Sequence, residues 1–124
     1  MRTDSGEATA QAVIAVPIVL LALWLGVQAT VFFHGANVAS AAANEGAAAA
    51  ARYESSVEVG EHAIQRTLAN LNSDTGGSWS VRRSGTEIIA TVRLRLPRIV
   101  PFFPTSVTRS ARERAEVFLE EAAR

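Results

Sequence analysis

Hydrophobic positions are unevenly distributed along the chain, and each stretch has its own period. From Ala12 to Phe33, AVIAVPIVLLALWLGVQATVFF, twenty-two residues carry no charge, and only Gln28 and Thr30 are distinctly polar. At 1.5 Å per residue this run makes a helix of about 33 Å, against a hydrocarbon core of about 30 Å. A core helix of a small soluble domain would show a polar face, because a short chain cannot cover a helix that is apolar all round. The stretch therefore predicts a transmembrane helix, with Pro17 as a kink near its entrance. The following segment, HGANVASAAANEGAAAAARY, is dominated by the best helix former and contains no Pro, so the helix is expected to continue to about Tyr53 as a stalk. Ala39, Ala43, Gly46 and Ala50 fall on one face of it, where small side chains let another backbone approach; compositional Ala bias accounts for them equally well.

The period then changes. Glu54–Asn72 places Val57, Ile64, Leu68 and Leu71 on one stripe, with Ala63 close by, which predicts an amphipathic helix that either starts near Ser55 or continues the first helix through a bend. Ser78–Arg83, a turn at Ser84-Gly85 and Thr86–Leu96 read as a β-hairpin. Ile88, Ala90, Val92, Leu94 and Leu96 alternate with a mostly polar set, and Trp79 shares a face with Val81. An isolated hairpin is marginal in water, so its apolar face is expected to pack on the Val57, Ile64, Leu68 stripe. Pro97, Pro101 and Pro104 exclude helix and ladder pairing from the next link. Ile99, Phe102 and Phe103 within it either dock a partner or lipid, or close the small core from beneath. Thr105–Arg112 is expected as a third antiparallel strand and Glu113–Arg124 as a short C-terminal helix. The reading is α+β, divided into a leader-like segment (1–11), a transmembrane helix (12–33), an Ala-rich extension (34–53) and a small head (54–124).

Composition changes this picture little. Twelve basic residues, all Arg, balance twelve acidic ones, so no chain-wide charge attracts nucleic acid, and no nucleic-acid partner is expected. Without Cys there is neither a disulfide scaffold nor a thiol nucleophile. Glu58, Glu61 and His62 lie within one helical turn, but no third ligand stands at helical spacing, and a solvated face is the default. His34 reads as an interfacial residue. With no Gly-rich phosphate loop and no convergent acid–base pair, neither enzymatic activity nor a cofactor is expected. Arg2 and the terminal amine precede the span while Arg52 stands at the edge of the charge-counting window beyond it, so the N-terminus is expected in the cytoplasm and the head outside. Ala39-Ser40-Ala41 has the small-x-small form cut by signal peptidase, although the apolar run exceeds the ~7–15 residues of a signal h-region.

Gly6-Glu7, the apolar run with Pro17, and the later Asn44-Glu45-Gly46-Ala47 together resemble the N-terminal half of TadE-like proteins. These are minor pilins, or pseudopilins, of tight-adherence pilus and secretion machinery. In that family a Gly is followed five residues later by a Glu, then by an apolar run with Pro six residues beyond the Glu, and then by a segment resembling AAREGAR. Here Gln11 occupies the Glu position. The resemblance implies processing between Gly6 and Glu7 by a prepilin-type peptidase, a register role for position 11, and assembly with other pilin-like subunits in the bacterial cytoplasmic membrane. Gln11 can hydrogen-bond a neighbour's freed amine but cannot neutralise it. The expected function is that of a membrane-anchored minor pilin-like component. The alternatives are a single-pass exported interaction or adhesion protein unrelated to a pilus, and a secreted binding domain released near Ala41.

Overall fold

The computed structural model describes residues 2–52, 55–71, 76–98 and 100–115, with side chains from Gly6 onward. Helix α1 (Arg2–Ala51) runs without a break through Pro17, and helix α2 (Val57–Asn70) follows it. Strands β1 (Ser78–Ser84), β2 (Glu87–Arg95) and β3 (Ser106–Arg114) form one antiparallel sheet in the order β1-β2-β3. The protein is α+β, and α1 is its one helix, among the described residues, long and apolar enough to cross a membrane.

The two helices are separate. Ser56, extended at φ −125° and ψ 170°, breaks the chain before α2, which returns antiparallel to α1. Gly60 comes against Ala50 and Gly46, and Ile64 comes against Gly46. The hairpin turns at Gly85 and Thr86, one residue later than the pattern suggested; Gly85, at φ 63°, supplies the positive φ of a two-residue turn. The third strand extends beyond Arg112, so Glu113 and Arg114 pair with Ile88 and Glu87 instead of starting a helix. The bond from the Ala115 N–H to the Thr86 carbonyl (2.6 Å) and the burial of Ala115 hold this end in the sheet. Residues 116–124, the remainder of the expected terminal helix, lie outside the described residues.

The core is a helix layer on one sheet face. Ile88, Ala90, Val92 and Leu94 of β2, Val81 of β1 and Val107 and Ala111 of β3 point inward, as the alternation predicts. They meet chiefly α1, through Ala36, Ala39, Ala42, Ala43 and Ala47, and α2 covers the β1 side with Ile64 and Leu68. The expectation that the sheet rests on the α2 stripe is thus corrected: the Ala-rich half of α1 is the main support. Small side chains explain this, since they let a sheet studded with Ile, Val and Leu approach the helix closely. Leu71 falls at the C-cap of α2 and is 44% exposed, leaving the stripe one residue short of its expected end. Burial of each large core side chain, such as Ile64 or Ile88, contributes about 1.5–3 kcal/mol.

Candidate functional site

α1 has two halves with different surroundings. Val13, Ile14, Val16, Leu20, Leu23, Trp24 and Val27 are all exposed, and none of the described residues covers this apolar surface. From Gln28 onward the head begins to enclose the helix. Burial therefore begins at Gln28, inside the stretch that hydropathy alone assigns to the span, although Phe33 on the face away from the head is still 65% exposed. Residues 8–27, after the last charged position Glu7, are about 30 Å long, which matches a hydrocarbon core without residues 28–33.

Gln28 marks the boundary chemically. It is 0% exposed and grips the loop between β2 and β3. Its Oε1 accepts the Val100 backbone N–H (3.0 Å), and its Nε2 donates to the Pro97 carbonyl (3.3 Å). A buried amide needs such partners, because a lost hydrogen bond costs about 1–3 kcal/mol. Thr30, the other polar residue of the run, is satisfied locally by donating to the Gly26 carbonyl (2.9 Å). Sequence reading missed the grip; the available signal was a lone Gln in an apolar helix, which must find a partner.

The loop itself is held at both ends. Leu96 N–H bonds the Thr105 carbonyl (2.7 Å) at its neck, and Phe103 N–H bonds the Val100 carbonyl (3.2 Å) at its tip. Val100 is buried, Phe103 is half-buried, and Phe102 projects with 95% of its surface exposed. Of the residues expected either to dock outward or to close the core, Phe102 faces outward and Phe103 is half-buried, while the buried residue of the loop is Val100, which the pattern did not single out. Ile99 lies outside the described residues. Gly35, two turns above Gln28, lets Leu96 and Val107 close on the helix backbone, where any Cβ would collide with Leu96.

The expected packing face on α1 is occupied from within the chain. Ala39 and Ala43 are fully buried, and Gly46 and Ala50 are buried beside them, all against the chain's own α2 and sheet. Small residues do permit close backbone approach there, but the partner is internal, so this face offers no surface to a second subunit. Release near Ala41 would likewise cut through the helix that supports the core, with Ala39 on one side and Ala42 and Ala43 on the other. At the other end of α1, Gly6, Glu7 and Gln11 are exposed along the helix, and nothing lies within 4 Å of a Cβ placed on Gly6.

Charge is segregated although the chain is neutral. The strand register turns Arg82, Arg93, Arg95, Arg112 and Arg114 outward on the sheet, with Glu87 as the one acidic residue among them. Arg112 and Glu87 pair at 3.4 Å, an exposed contact worth at most about 1 kcal/mol. Ile89, on the same face, is only 8% exposed because it sits between Arg82 and Arg112 across the strands. On α2, Glu58 and His62 are exposed. Among the described residues no three His, Asp or Glu side chains gather closely enough to hold a metal ion. No protein-family model, curated protein or solved structure matches this chain.

Proposed function

We propose that the chain is a single-pass structural component of a pilin-like assembly, of the TadE-like kind its N-terminal pattern resembles, serving a tight-adherence pilus or secretion apparatus. The observation that carries this reading is the division of α1: an uncovered apolar half continuous with a half that forms the spine of the head. A subunit built this way transmits position rigidly from the bilayer to the head, and it presents an apolar helix for packing against other helices. Its work is geometric, and its binding energy comes from helix packing. The proposed membrane is the bacterial cytoplasmic one, with the N-terminus inside and the head outside. A prepilin-type peptidase would cut between Gly6 and Glu7. Because Gln11 lacks the charge to neutralise the freed amine, the role is minor instead of filament-forming.

The test uses disulfide crosslinking in native membranes. Leu20→Cys and Leu23→Cys should crosslink to pilin-like chains, whereas Ala43→Cys, enclosed by its own head, should not. Absence of crosslinks along the whole uncovered half would remove the assembly role. Mass spectrometry of the mature N-terminus tests processing separately, and a chain still beginning at Met1 or Arg2 would refute cleavage at Gly6.

A second reading, a single-pass exported interaction protein without a pilus, is supported by the arginine-bearing outer sheet face. It predicts that Arg93→Glu with Arg112→Glu abolishes partner capture while leaving the helix crosslinks unaffected.

A further inference from the structure

We propose that residues 100–104 form a second membrane contact, a proline-framed foot that lays Phe102 into the outer headgroup and acyl boundary of an anionic phospholipid bilayer at a depth set by Gln28. The proposal rests on reading residues 8–27 as the span, and four observations carry it. The first is position. Gln28 is the first buried residue described on α1, the level at which the head begins to cover the helix, and it binds the loop directly at Pro97 and Val100. A helix spanning the hydrocarbon with residues 8–27 therefore holds the loop at the membrane surface. Trp24 lies one turn below Gln28 on the same helix face and is exposed, as befits an aromatic residue of the interfacial belt.

The second observation is the surface presented. Phe102, at 95%, is the most exposed of the large hydrophobic side chains described, and it occupies a tip fixed by the Phe103 to Val100 bond. A ring held out by an ordered loop loses little further freedom on entering lipid. The third is the backbone. Irregular chain is costly near hydrocarbon because its polar groups need partners. Here Pro97, Pro101 and Pro104 have no N–H, the Val100 N–H is taken by the Gln28 Oε1 and the Phe103 N–H by the Val100 carbonyl, which lowers the number of donors the loop would bring to the lipid boundary. The fourth is charge. Arg98, exposed within the loop, and Arg95, exposed on the adjoining end of β2, flank the foot with cations suited to lipid phosphates. A protein partner would require none of this alignment with the end of the apolar helix, whereas a bilayer requires all of it.

The full chain contains no Cys, so single-cysteine variants carry a polarity-sensitive fluorophore at one chosen place. Phe102→Cys, Ser84→Cys beside the distal hairpin turn, and Leu20→Cys in the span would be reconstituted in vesicles of phosphatidylcholine with or without phosphatidylglycerol. The label at 102 should show blue-shifted emission and lose intensity to nitroxide-bearing lipids, as at 20, whereas the label at 84 should behave as in water. Arg98→Gln should weaken quenching at 102 only where phosphatidylglycerol is present. A label at 102 that stays in water while that at 20 is quenched overturns the foot and leaves the span intact. Water at both positions refutes the span reading itself. Shielding at 102 in native membranes but not in vesicles would assign the loop to a protein partner and overturn the lipid assignment.

Discussion

A Cβ built on Gly60 would lie 2.8 Å from the carbonyl oxygen of Gly46, so α1 and α2 meet backbone to backbone at this pair of glycines. Ala50 Cβ is equally close, and neither obstacle is a flexible side chain that could swing away. Gly60→Ala gains about 1 kcal/mol of helix propensity but incurs an overpacking cost of ~1–3 kcal/mol or more. The expected outcome is net destabilisation of about 1 kcal/mol, seen as a loss of roughly 4–8 °C in Tm by circular dichroism in detergent micelles. An unchanged or raised Tm would mean that the helices can separate at this crossing at no cost.

Gln28 and the loop make a second prediction. Gln28→Leu keeps the helix apolar and fills similar space, yet it strands the Val100 N–H and the Pro97 carbonyl. A buried group left without its partner costs about 1–3 kcal/mol. Hydrogen exchange at Val100 should accelerate roughly 5- to 100-fold, while amides of β2 retain their protection. Equal acceleration throughout the sheet would show that the amide supports the whole head and not the loop alone.

The α2 stripe separates core from periphery. Ile64 is fully buried against Gly46, so Ile64→Ala should cost about 2–5 kcal/mol. Leu71, nearly half exposed beyond the helix end, should respond to Leu71→Ala by about 0.5 kcal/mol or less. Denaturant titration of the two variants checks the contrast.

Glu58 predicts a small pH dependence. Its carboxylate is held below the ordinary Glu value by its own backbone N–H and by the Ser56 hydroxyl, with desolvation opposing them. Ser56 itself makes no side-chain cap, so the acid in the first turn of α2 serves the helix terminus instead. A depressed folded-state pKa means that the unfolded chain binds more protons between the two values. The contribution is therefore complete above the unfolded value and lost as pH falls through the folded one. An NMR titration should place the Glu58 midpoint below that of an ordinary Glu, and Glu58→Gln should remove this acid-side dependence. A midpoint at or above the ordinary value would contradict the capping geometry.

Much of the architecture was legible because it depends on local periodicity. The uncharged run Ala12–Phe33 identifies a membrane-length helix from length alone, and the alternation of Ile88, Ala90, Val92 and Leu94 identifies a strand buried on one side. Ala propensity carries α1 to Ala51, two residues short of the expected end. These properties belong to neighbouring residues and need no knowledge of the rest of the chain. What covers each face is different, because it is settled by contacts between residues far apart in sequence.

Only the tertiary structure decided that the Ala39, Ala43, Gly46, Ala50 face is filled by the chain's own α2 and sheet. Small residues at helical spacing admit any close partner, internal or external, and the pattern cannot distinguish them. Gln28 shows the same limit, since its partners stand at 97 and 100 and neither announces the bond. Glu113 and Arg114 are good helix formers that the sheet nonetheless claims, because pairing with β2 outweighs a weak local preference. By itself the sequence determined an apolar helix bearing a small α+β head; the fold decided that the head grips that helix at Gln28, because burial and hydrogen-bond satisfaction are properties of the assembled chain.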